Sequence, residues 1–417
     1  MREMKDSGTL AFGTIPSTWK ITKFKNLFCL RSTKNTGNRE LLSVYLDKGV
    51  ISYSDSDGMQ VHKPSESLAA YQNVEIGDFV LNNQQAWRGS VGVSKYRGII
   101  SPAYFVYSMT DECYAPYMNY LLRDSSMVHQ YELASRGVGT IQRNLFAPWL
   151  KNRIVLIPPI YEQKEIAIFL DSQCSEIDAI SADIQKEIET LEQYKRSVIT
   201  EAVTKGLNPD VEMKDSGVPW IGKMPANWTC IKGKYILKYM QKPVKTDDGV
   251  ITCFRDGEVT LRSKRREDGF TMADKEIGYQ GIDVGDLVVH GMDGFAGAIG
   301  ISDSRGKASP VLNVLDSRQN KKYIMYYLRS MAYGDVFAAL ATGIRVRSCD
   351  LRWNKLSVLL YPVPPLEEQT EIVQYIEDTL NKVNGVISEK KQQLEVLDSY
   401  KKSLIYEYVT GKKEVSA

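Results

Sequence analysis

The sequence lacks the residue clusters on which most metal and redox sites depend. Its six cysteines are scattered and form no Cys-x-x-Cys pair, and its three histidines are equally dispersed. A structural zinc site needs such ligands within short spacings. The sequence therefore predicts no metal site, and it indicates inert, buried thiols in a reducing cytoplasm.

Long apolar runs and a strong net charge are also missing. No stretch approaches the roughly 18 apolar residues that cross a bilayer, and no secretory signal opens the chain. The formal net charge of +2 over 417 residues argues against a non-specific polycation, although it leaves room for local basic faces. We therefore expect a cytoplasmic protein of two or more domains that makes no membrane contact.

Catalytic signatures are absent as well. The sequence contains no P-loop, no His-Glu-x-x-His motif, no nucleophile elbow and no paired-carboxylate nuclease signature. The stretch 157–161 (Ile-Pro-Pro-Ile-Tyr) superficially resembles the (Asp/Asn)-Pro-Pro-Tyr loop of amino-methyltransferases, but Ile157 stands where that loop needs Asp or Asn. Gly294, Gly297 and Gly300 are better explained by a tight turn between strands than by a nucleotide site. We therefore predict a chain with no catalytic residues.

What the sequence does contain is a tandem duplication. Matched segments keep their order at offsets that fall only from 209 to 206: 4–8 and 213–217 (Met-Lys-Asp-Ser-Gly), 77–80 and 285–288 (Gly-Asp-Phe/Leu-Val), 101–102 and 309–310 (Ser-Pro), and 158–159 and 364–365 (Pro-Pro). A repeat of this kind is the first feature to interpret. The segments 29–76 and 103–135 barely resemble their counterparts 238–284 and 311–341. This contrast indicates one frame that carries two different sets of functional residues.

Each Pro-Pro pair opens a long helical pattern. Apolar residues recur at seven-residue spacing, at Leu170, Ile177, Ile184, Leu191 and Val198 and at Ile376, Val383, Leu397 and Leu404. We expect the companion rows to be Ile166, Ile180 and Tyr194 and Ile372, Val386 and Tyr400, with Lys390 and Gln393 as polar interruptions that cost stability and help to set register. Proline suits the helix starts, and Gly206 and Gly411 suit the ends.

Two arrangements of these helices are open. Each could pack on its own globular domain, but two helices of matched length and seam favour pairing with each other as an antiparallel coiled coil with pseudo-two-fold symmetry. A helix over residues 162–204 would span about 64 Å at 1.5 Å per residue, or about 19 base pairs of duplex. A rod of this length would hold two modules at a fixed separation.

Basic and amide side chains cluster in the divergent parts of both copies. Arg and Lys bind phosphates and guanine edges, whereas Asn and Gln pair with adenine. The candidates are Asn82, Asn83, Gln84, Gln85, Trp87, Arg88, Lys95, Arg97, Arg136, Gln142, Arg143 and Asn144 in the first copy and Arg255, Arg262, Lys264, Arg265, Arg266, His290, Arg345, Arg347 and Arg352 in the second. Each one alone is better explained as a solvated surface residue than as a base contact, but their clustering at matched places predicts contact with double-stranded DNA.

The order of these motifs resembles the specificity subunit of type I restriction-modification systems. Asp-Ser-Gly, Pro and Trp are followed by Gly-Asp-(Phe/Leu)-Val, Ser-Pro and Pro-Pro-x-x-Glu-Gln before a long helix, in both copies. The sequence departs from the usual pattern at Ala11, where the second copy has Trp220, and at Tyr161, where an acidic residue is commoner. We expect only local effects on packing.

The resemblance implies an α+β fold of two tandem α/β target-recognition domains and two long helices. The divisions would be 1–150 and 213–358 for the recognition domains and 151–212 and 359–417 for the helices. It also implies a bipartite DNA site, and docking of modification and restriction subunits. Those partners would carry S-adenosylmethionine, ATP and Mg, so this chain would bind no cofactor itself.

Two other functions remain as alternatives. One is a self-contained DNA methyltransferase or nuclease with an unrecognised site, and the other is a coiled-coil adaptor that does not touch DNA. Methyl transfer by the chain alone would favour the first alternative. The absence of salt-sensitive DNA binding would favour the second.

Overall fold

The computed structural model describes residues 2–9, 11–35, 37, 39–56, 64–65, 67–137, 143–265, 276–340 and 351–415. The chain forms two compact units: unit 1 is Met1–Ile184 with Gln392–Ala417, and unit 2 is Gln185–Lys391. Each unit thus combines one globular part with half of each long helix. The four-part division expected from the sequence stays a prediction.

Unit 1 is built from short strands and helices. Its strands are β1 (Met4–Asp6), β2 (Thr14–Pro16), β3 (Lys20–Lys23), β4 (Phe28–Arg31), β5 (Leu42–Tyr45), β6 (Gly49–Ser52), β7 (Gln72–Val74), β8 (Phe79–Asn82), β9 (Val91–Val93), β10 (Gly98–Ile100), β11 (Tyr104–Met109), β12 (Ser135–Arg136), β13 (Asn144–Leu145) and β14 (Ile154–Ile157). Its helices before the long one are α1 (Phe24–Leu27), α2 (Ala115–Arg123), α3 (Ser125–Leu133) and α4 (Ala147–Leu150), with 3-10 turns at Tyr53–Ser56 and Ala86–Arg88.

The centre of unit 1 is an antiparallel sheet in the order β4-β11-β8-β9. One of its faces carries large buried rings. Phe24 meets Tyr107 edge-on at 5.1 Å between ring centroids, and Phe79 lies 6.3 Å from Tyr131 of α3. Burial of aromatic rings is the main stabilising contribution here, because each removes a large apolar area from water.

Unit 2 repeats these elements. Its strands are β15 (Met213–Asp215), β16 (Lys223–Pro225), β17 (Thr229–Lys232), β18 (Leu237–Met240), β19 (Ile251–Cys253), β20 (Val259–Leu261), β21 (Gln280–Ile282), β22 (Leu287–His290), β23 (Ile299–Ile301), β24 (Gly306–Ala308), β25 (Leu312–Ser317) and β26 (Leu360–Val363). Its helices, apart from the long ones, are α5 (Gly233–Ile236), α6 (Arg262–Arg265), α7 (Lys321–Tyr333), α8 (Val336–Ala339) and α9 (Trp353–Leu356), with a 3-10 turn at Gly294–Ala296. Its central sheet has the order β18-β25-β22-β23, the counterpart of that in unit 1.

The long helices are αL1 (Ile160–Lys205, 46 residues) and αL2 (Leu366–Val409, 44 residues). Both begin directly after a Pro-Pro pair. Gly206 and Gly411 follow their ends with φ of 74° and 72°, the left-handed conformation that closes a helix at little cost in glycine. The predicted starts and ends are therefore confirmed.

The seven-residue seam is buried or half-buried as predicted. The predicted companion rows are right at Ile166 and Ile372, which are buried, and wrong at their other four positions. Ile180, Tyr194, Val386 and Tyr400 are all more than 40% exposed. The buried second row instead follows the seam by four residues and includes Cys174, Ile188, Ile387 and Tyr408. A prediction based on apolar residues missed this row because it also contains the polar residues Ser181, Lys195 and Lys401, all half-buried. The Ser181 hydroxyl bonds to its own helix backbone, and the lysine side chains cover the seam with their aliphatic stems.

Within each unit the two helical segments run in opposite directions. In unit 1, the Phe169 and Tyr408 rings pack at a tilt with centroids 4.5 Å apart, and Asp178 accepts from Lys401 at 2.6 Å. Later residues of αL1 therefore contact earlier residues of αL2. In unit 2, Glu187 forms an ion pair with Lys390 while Gly206, farther along the chain, lies beside Glu368 near the start of αL2, so these segments are antiparallel as well. The expectation that Gln393 lies in the seam is wrong, because its side chain is exposed.

The repeated glutamine of the Pro-Pro segment explains why that motif recurs. Gln163 is fully buried and donates to the carbonyls of Pro158 at 2.9 Å and Glu112 at 2.8 Å, while it accepts from the Tyr114 amide at 2.8 Å. Gln369 donates to the Pro364 carbonyl at 2.9 Å in the same way. The motif therefore fixes the helix start against the loop that precedes it.

The thiols fit the expectation only in part. Cys174 and Cys253 are buried, and burial raises the pKa of Cys253 to about 12. Cys29 is exposed, so the expectation of buried thiols is wrong for this residue. It lies on β4, an edge strand of the sheet, where its neighbour Phe28 faces the core. Cys349 lies outside the described residues.

Candidate nucleic-acid interface

The candidate surface of unit 1, called turn A here, is the segment 82–89 that joins β8 to β9. The Asn82 amide donates to the Ser90 carbonyl at 3.0 Å, and the chain then turns through the 3-10 helix to Gly89 at φ 101°. The Asn82 Oδ1 atom accepts from the Gln84 amide at 3.0 Å. Gly89 therefore lies in a tight turn between two strands, the arrangement that the sequence predicts for Gly297 in the second copy.

Turn A is joined to a segment that is distant in sequence. The Leu145 amide donates to the Asn83 carbonyl at 2.9 Å, which brings β13 and α4 beside the turn. Asn144 is exposed on β13 and lies opposite Arg136 of β12. Seven further candidates therefore share one surface with these two residues: Asn82, Asn83, Gln84, Gln85, Trp87, Arg88 and Arg143.

Guanidinium groups stack on the aromatic rings of this surface. Arg88 and Arg143 lie over the Trp87 ring at 4.6 and 5.1 Å from its centroid. Glu132 holds Arg143 through a 2.7 Å ion pair. These contacts orient planar, cationic donors of the kind that recognise phosphates and base edges.

A second stack involves residues that the sequence did not single out. Arg136 lies 3.3 Å from the Phe146 ring centroid and 4.7 Å from that of Trp149, which is 41% exposed. An Ala-Pro-Trp sequence at a helix start gave no signal for this role. Only the pairing of β12 with β13 brings these rings to Arg136.

Two first-copy candidates lie elsewhere. Lys95 and Arg97 are exposed in the turn after β9, at the opposite end of the β8–β9 hairpin from turn A. Arg97 forms a 2.7 Å ion pair with Glu75, which also binds Arg39. Arg39 and then Arg97 lower the pKa of Glu75. The structure thus separates these two candidates from the others.

Turn B is the matching segment of unit 2, 290–297, between β22 and β23. The His290 amide donates to the Ala298 carbonyl at 3.0 Å, and Gly297 has φ 96°. Arg255 pairs with Asp293 of the turn at 3.0 Å. The Leu351 amide donates to the Gly291 carbonyl at 2.8 Å, so that Arg352 also lies beside turn B.

The remaining cations of unit 2 form contacts around β19 and β20. Arg265 pairs with Asp256 and Glu258 at 2.7 and 2.8 Å, and it lies over the Phe254 ring at 4.1 Å. Arg262 donates to the Thr252 hydroxyl at 3.0 Å. Lys264 contacts Asp303 at 3.3 Å and Ser304 at 2.6 Å. These two residues follow β23, at the opposite end of the β22–β23 hairpin from turn B. Gln142, Arg266, Arg345 and Arg347 lie outside the described residues.

His290, the first residue of turn B, is a titratable group whose ring bonds to the backbone of the turn. Its Nδ1 atom accepts from the amides of Met292 at 3.2 Å and Asp293 at 2.9 Å. Burial lowers the pKa of His290, Asp293 opposes that shift, and Arg255 adds to it. The lowered pKa and the two amide hydrogen bonds to Nδ1 both favour the neutral ring with its proton on Nε2.

Among the described residues, no group of three or more His, Cys, Asp or Glu side chains is arranged to hold a metal ion. None of the described helices is long and apolar enough to cross a membrane. The candidate surfaces therefore consist of cations, amides and aromatic rings on turns A and B.

Comparisons with known proteins agree with the motif order. No protein-family model matches the sequence. The MjaX specificity subunit of a type I restriction enzyme from Methanocaldococcus jannaschii is 23% identical over 438 residues, covering 96% of this chain and 95% of the relative. The MjaVIII specificity subunit of a type I restriction enzyme from the same organism is 24% identical over a match that covers 71% of this chain and 69% of the MjaVIII chain.

Solved structures share the fold. One, described as the structural basis underlying complex assembly and conformational transition of the type I R-M system, superposes with a TM-score of 0.67 at 15% identity over 96% of this chain and 99% of its own. The HsdS subunit from Thermoanaerobacter tengcongensis gives a TM-score of 0.51 at 15% identity over 96% and 98%. Over nearly its whole length, this chain is therefore similar to the specificity subunits of type I restriction enzymes.

Proposed function

We propose that this chain is the DNA sequence-specificity subunit of a type I restriction-modification complex and that each unit reads one half of a bipartite duplex site. One observation carries the proposal. Turns A and B have the same backbone hydrogen bonds, from 82 to 90 and from 290 to 298, but they display different side chains. A shared frame with different polar groups suits two different base sequences.

The turns can supply both kinds of contact that DNA recognition needs. Arg88, Arg136 and Arg255 are exposed cations that suit phosphates. Asn82, Asn144 and His290 are neutral polar groups that suit base edges. Phosphate contacts would position each unit, and base contacts would then decide the sequence.

The long helices would fix the distance between the half-sites. We propose that αL1 and αL2 form an antiparallel coiled coil related by a pseudo-two-fold axis. At 1.5 Å per residue they are about 69 and 66 Å long. The recognition domains would then correspond to residues 1–150 and 213–358, and the spacer helices to 151–212 and 359–417.

Catalysis would belong to other subunits. Modification subunits would bring S-adenosylmethionine, and restriction subunits would bring ATP and Mg, while this chain would supply no catalytic residue and bind no cofactor itself. The named function of the curated relatives, specificity, supports this division.

The test selects duplexes from a library randomised across about 25 base pairs, using the chain assembled with modification subunits of a type I restriction-modification system. We expect a site of two specified halves around an unspecified spacer, and adenine methylation only when the modification subunits are present. Methyl transfer by the purified chain alone would instead indicate a self-contained methyltransferase. Binding that is insensitive to salt, or no binding, would indicate an adaptor.

A further inference from the structure

Asn82 and His290 occupy equivalent places in the two units. Each is the last residue of its strand, β8 or β22, and each donates its amide to a carbonyl of the returning strand at 3.0 Å. The offset is 208 (290 − 82), and it is the same for the accepting residues Ser90 and Ala298 (298 − 90). The residues that face them across the sheet, Tyr104 and Leu312, differ by 208 as well (312 − 104).

Both side chains accept hydrogen bonds from the turn that follows. The Asn82 Oδ1 atom accepts from the amide of Gln84, and the His290 Nδ1 atom accepts from those of Met292 and Asp293. A backbone N–H can only donate, so these bonds identify the amide oxygen of Asn82 and leave Nδ1 of His290 without a proton. An asparagine and a histidine are thereby held in the same way.

The same bonds leave each side chain with a donor of fixed orientation. Tyr104 lies opposite Asn82 on β11. The Asn82 amide nitrogen carries two hydrogens and Tyr104 can accept one of them at most, so at least one remains for a ligand. The Nε2 atom of His290 lies 3.9 Å from the Asp293 carboxylate, which is too far for a hydrogen bond. Both residues are only half-buried, next to the exposed Gln84 and Met292.

We propose that Asn82 and His290 are equivalent specificity residues, each of which donates a hydrogen bond to an acceptor on a base edge within its own half-site. The acceptor class is a purine N7 or O6 or a thymine O4, the acceptors of the major groove. This inference rests on the proposed function and goes beyond it, because it assigns one donor to each half-site.

Closing the turn does not by itself require a donor. A carboxylate or a hydroxyl accepts from a backbone amide as well as an asparagine does. Asn82→Asp keeps the shape and the accepting oxygen but replaces the donor with an acceptor. This substitution therefore separates the role in the turn from the role in recognition.

The experiment uses the full chain with its modification subunits and the same randomised duplex library. We expect Asn82→Asp to reduce discrimination at one position of one half-site by about fivefold or more, the range lost with one specific base contact. His290→Asp should do the same in the other half-site only. His290→Asn keeps both an acceptor and a donor and should retain most of the discrimination there.

Tyr96→Phe is the matched control, because Tyr96 is not among the DNA-contact candidates and lies in the turn at the far end of the same hairpin as Asn82. We expect it to leave base preference unchanged at every position. Thermal unfolding of each variant shows whether the turn is intact. If Asn82→Asp and His290→Asp both fold and select the wild-type site, the assignment is wrong although the proposed function stands. If the wild-type chain selects no bipartite site, the proposed function itself fails.

Discussion

The Trp19 indole donates to the Glu162 carboxylate at 3.0 Å, and its counterpart Trp228 donates to Glu368 at the same distance. Both tryptophans are fully buried. Each bond ties the Pro-Trp opening of one copy to the first turn of a long helix. The tryptophan near the start of each copy and the Pro-Pro-x-x-Glu-Gln motif near its end therefore contact each other directly in the fold.

The two contacts differ in one respect that can be tested. Arg2 forms an ion pair with Glu162 and donates to the Gly411 carbonyl at 3.2 Å, whereas Val211 stands at the matching position of the second copy. We expect Glu162→Gln to lower the free energy of unfolding by about 1–3 kcal/mol, because it leaves a half-buried guanidinium without its charge partner. Glu368→Gln, the matched control, should cost about half as much. Equal losses in urea unfolding would show that Arg2 contributes nothing.

Gln163 tests whether the Pro-Pro-x-x-Glu-Gln motif fixes the start of αL1 against the preceding loop. We expect Gln163→Leu to destabilise unit 1 by about 3–5 kcal/mol, because it leaves one buried and two half-buried backbone groups without their partner. Tyr161→Ala, two residues earlier and exposed, is the control and should change stability by less than about 0.5 kcal/mol. Urea unfolding followed by circular dichroism measures both. A loss below about 1 kcal/mol for Gln163→Leu would contradict the structural role.

Lys390 tests the polar interruption of the seam. Its ion pair with Glu187 satisfies a half-buried ammonium but gives up apolar packing. We expect Lys390→Leu to raise the free energy of unfolding by about 1 kcal/mol, since a well-packed apolar residue often outperforms such a pair. Glu187→Gln should lower it slightly. A decrease for Lys390→Leu in thermal unfolding would mean that the pair contributes net stability.

Turn B predicts a pH dependence. Because the pKa of folded His290 is lowered from its usual value near 6.5, the unfolded chain binds more protons, and stability is lost as the pH falls below about 6.5 towards the folded pKa. The groups facing the ring are Asp293 and Arg255. We expect the change in Tm between pH 7.5 and pH 5.5 to be smaller in His290→Asn than in the wild type. Identical changes would show that His290 makes no contribution.

The repeat itself was the most informative sequence feature, because it predicted structure wherever the same local contact occurs twice. The Gly-Asp motif is an example. Asp78 is buried, accepts from the Glu75 amide at 2.8 Å and binds Arg31 at 3.0 Å, and Asp286 accepts from the Asp283 amide at 2.8 Å. The motif is therefore a structural turn in both copies. Helix starts and ends were predictable for the same reason.

Contacts between distant and divergent segments could not be predicted. Turn A meets residues 143–149 through one backbone bond at Asn83, and no spacing in the sequence reports it. The stacking of Arg136 on Phe146 was missed for that reason, while Lys95 and Arg97 were grouped with turn A only because they are near in sequence. The companion rows failed at four positions because polar side chains cover the seam in place of more hydrophobic neighbours.

The lengths of the two helices give the last prediction, which rests on the proposed function. Deleting residues 184–190 from αL1 and 387–393 from αL2 removes one heptad from each around the Glu187–Lys390 pair, so that the seam stays in phase. The shortening of about 10.5 Å corresponds to about 3 base pairs. We therefore expect the selected duplexes to keep both half-sites and to have a spacer that is about 3 base pairs shorter. Deleting only one heptad is the control and should destabilise the chain, because the paired residues no longer meet. If the double deletion changes the bases within a half-site, the helices act on recognition itself rather than on its spacing.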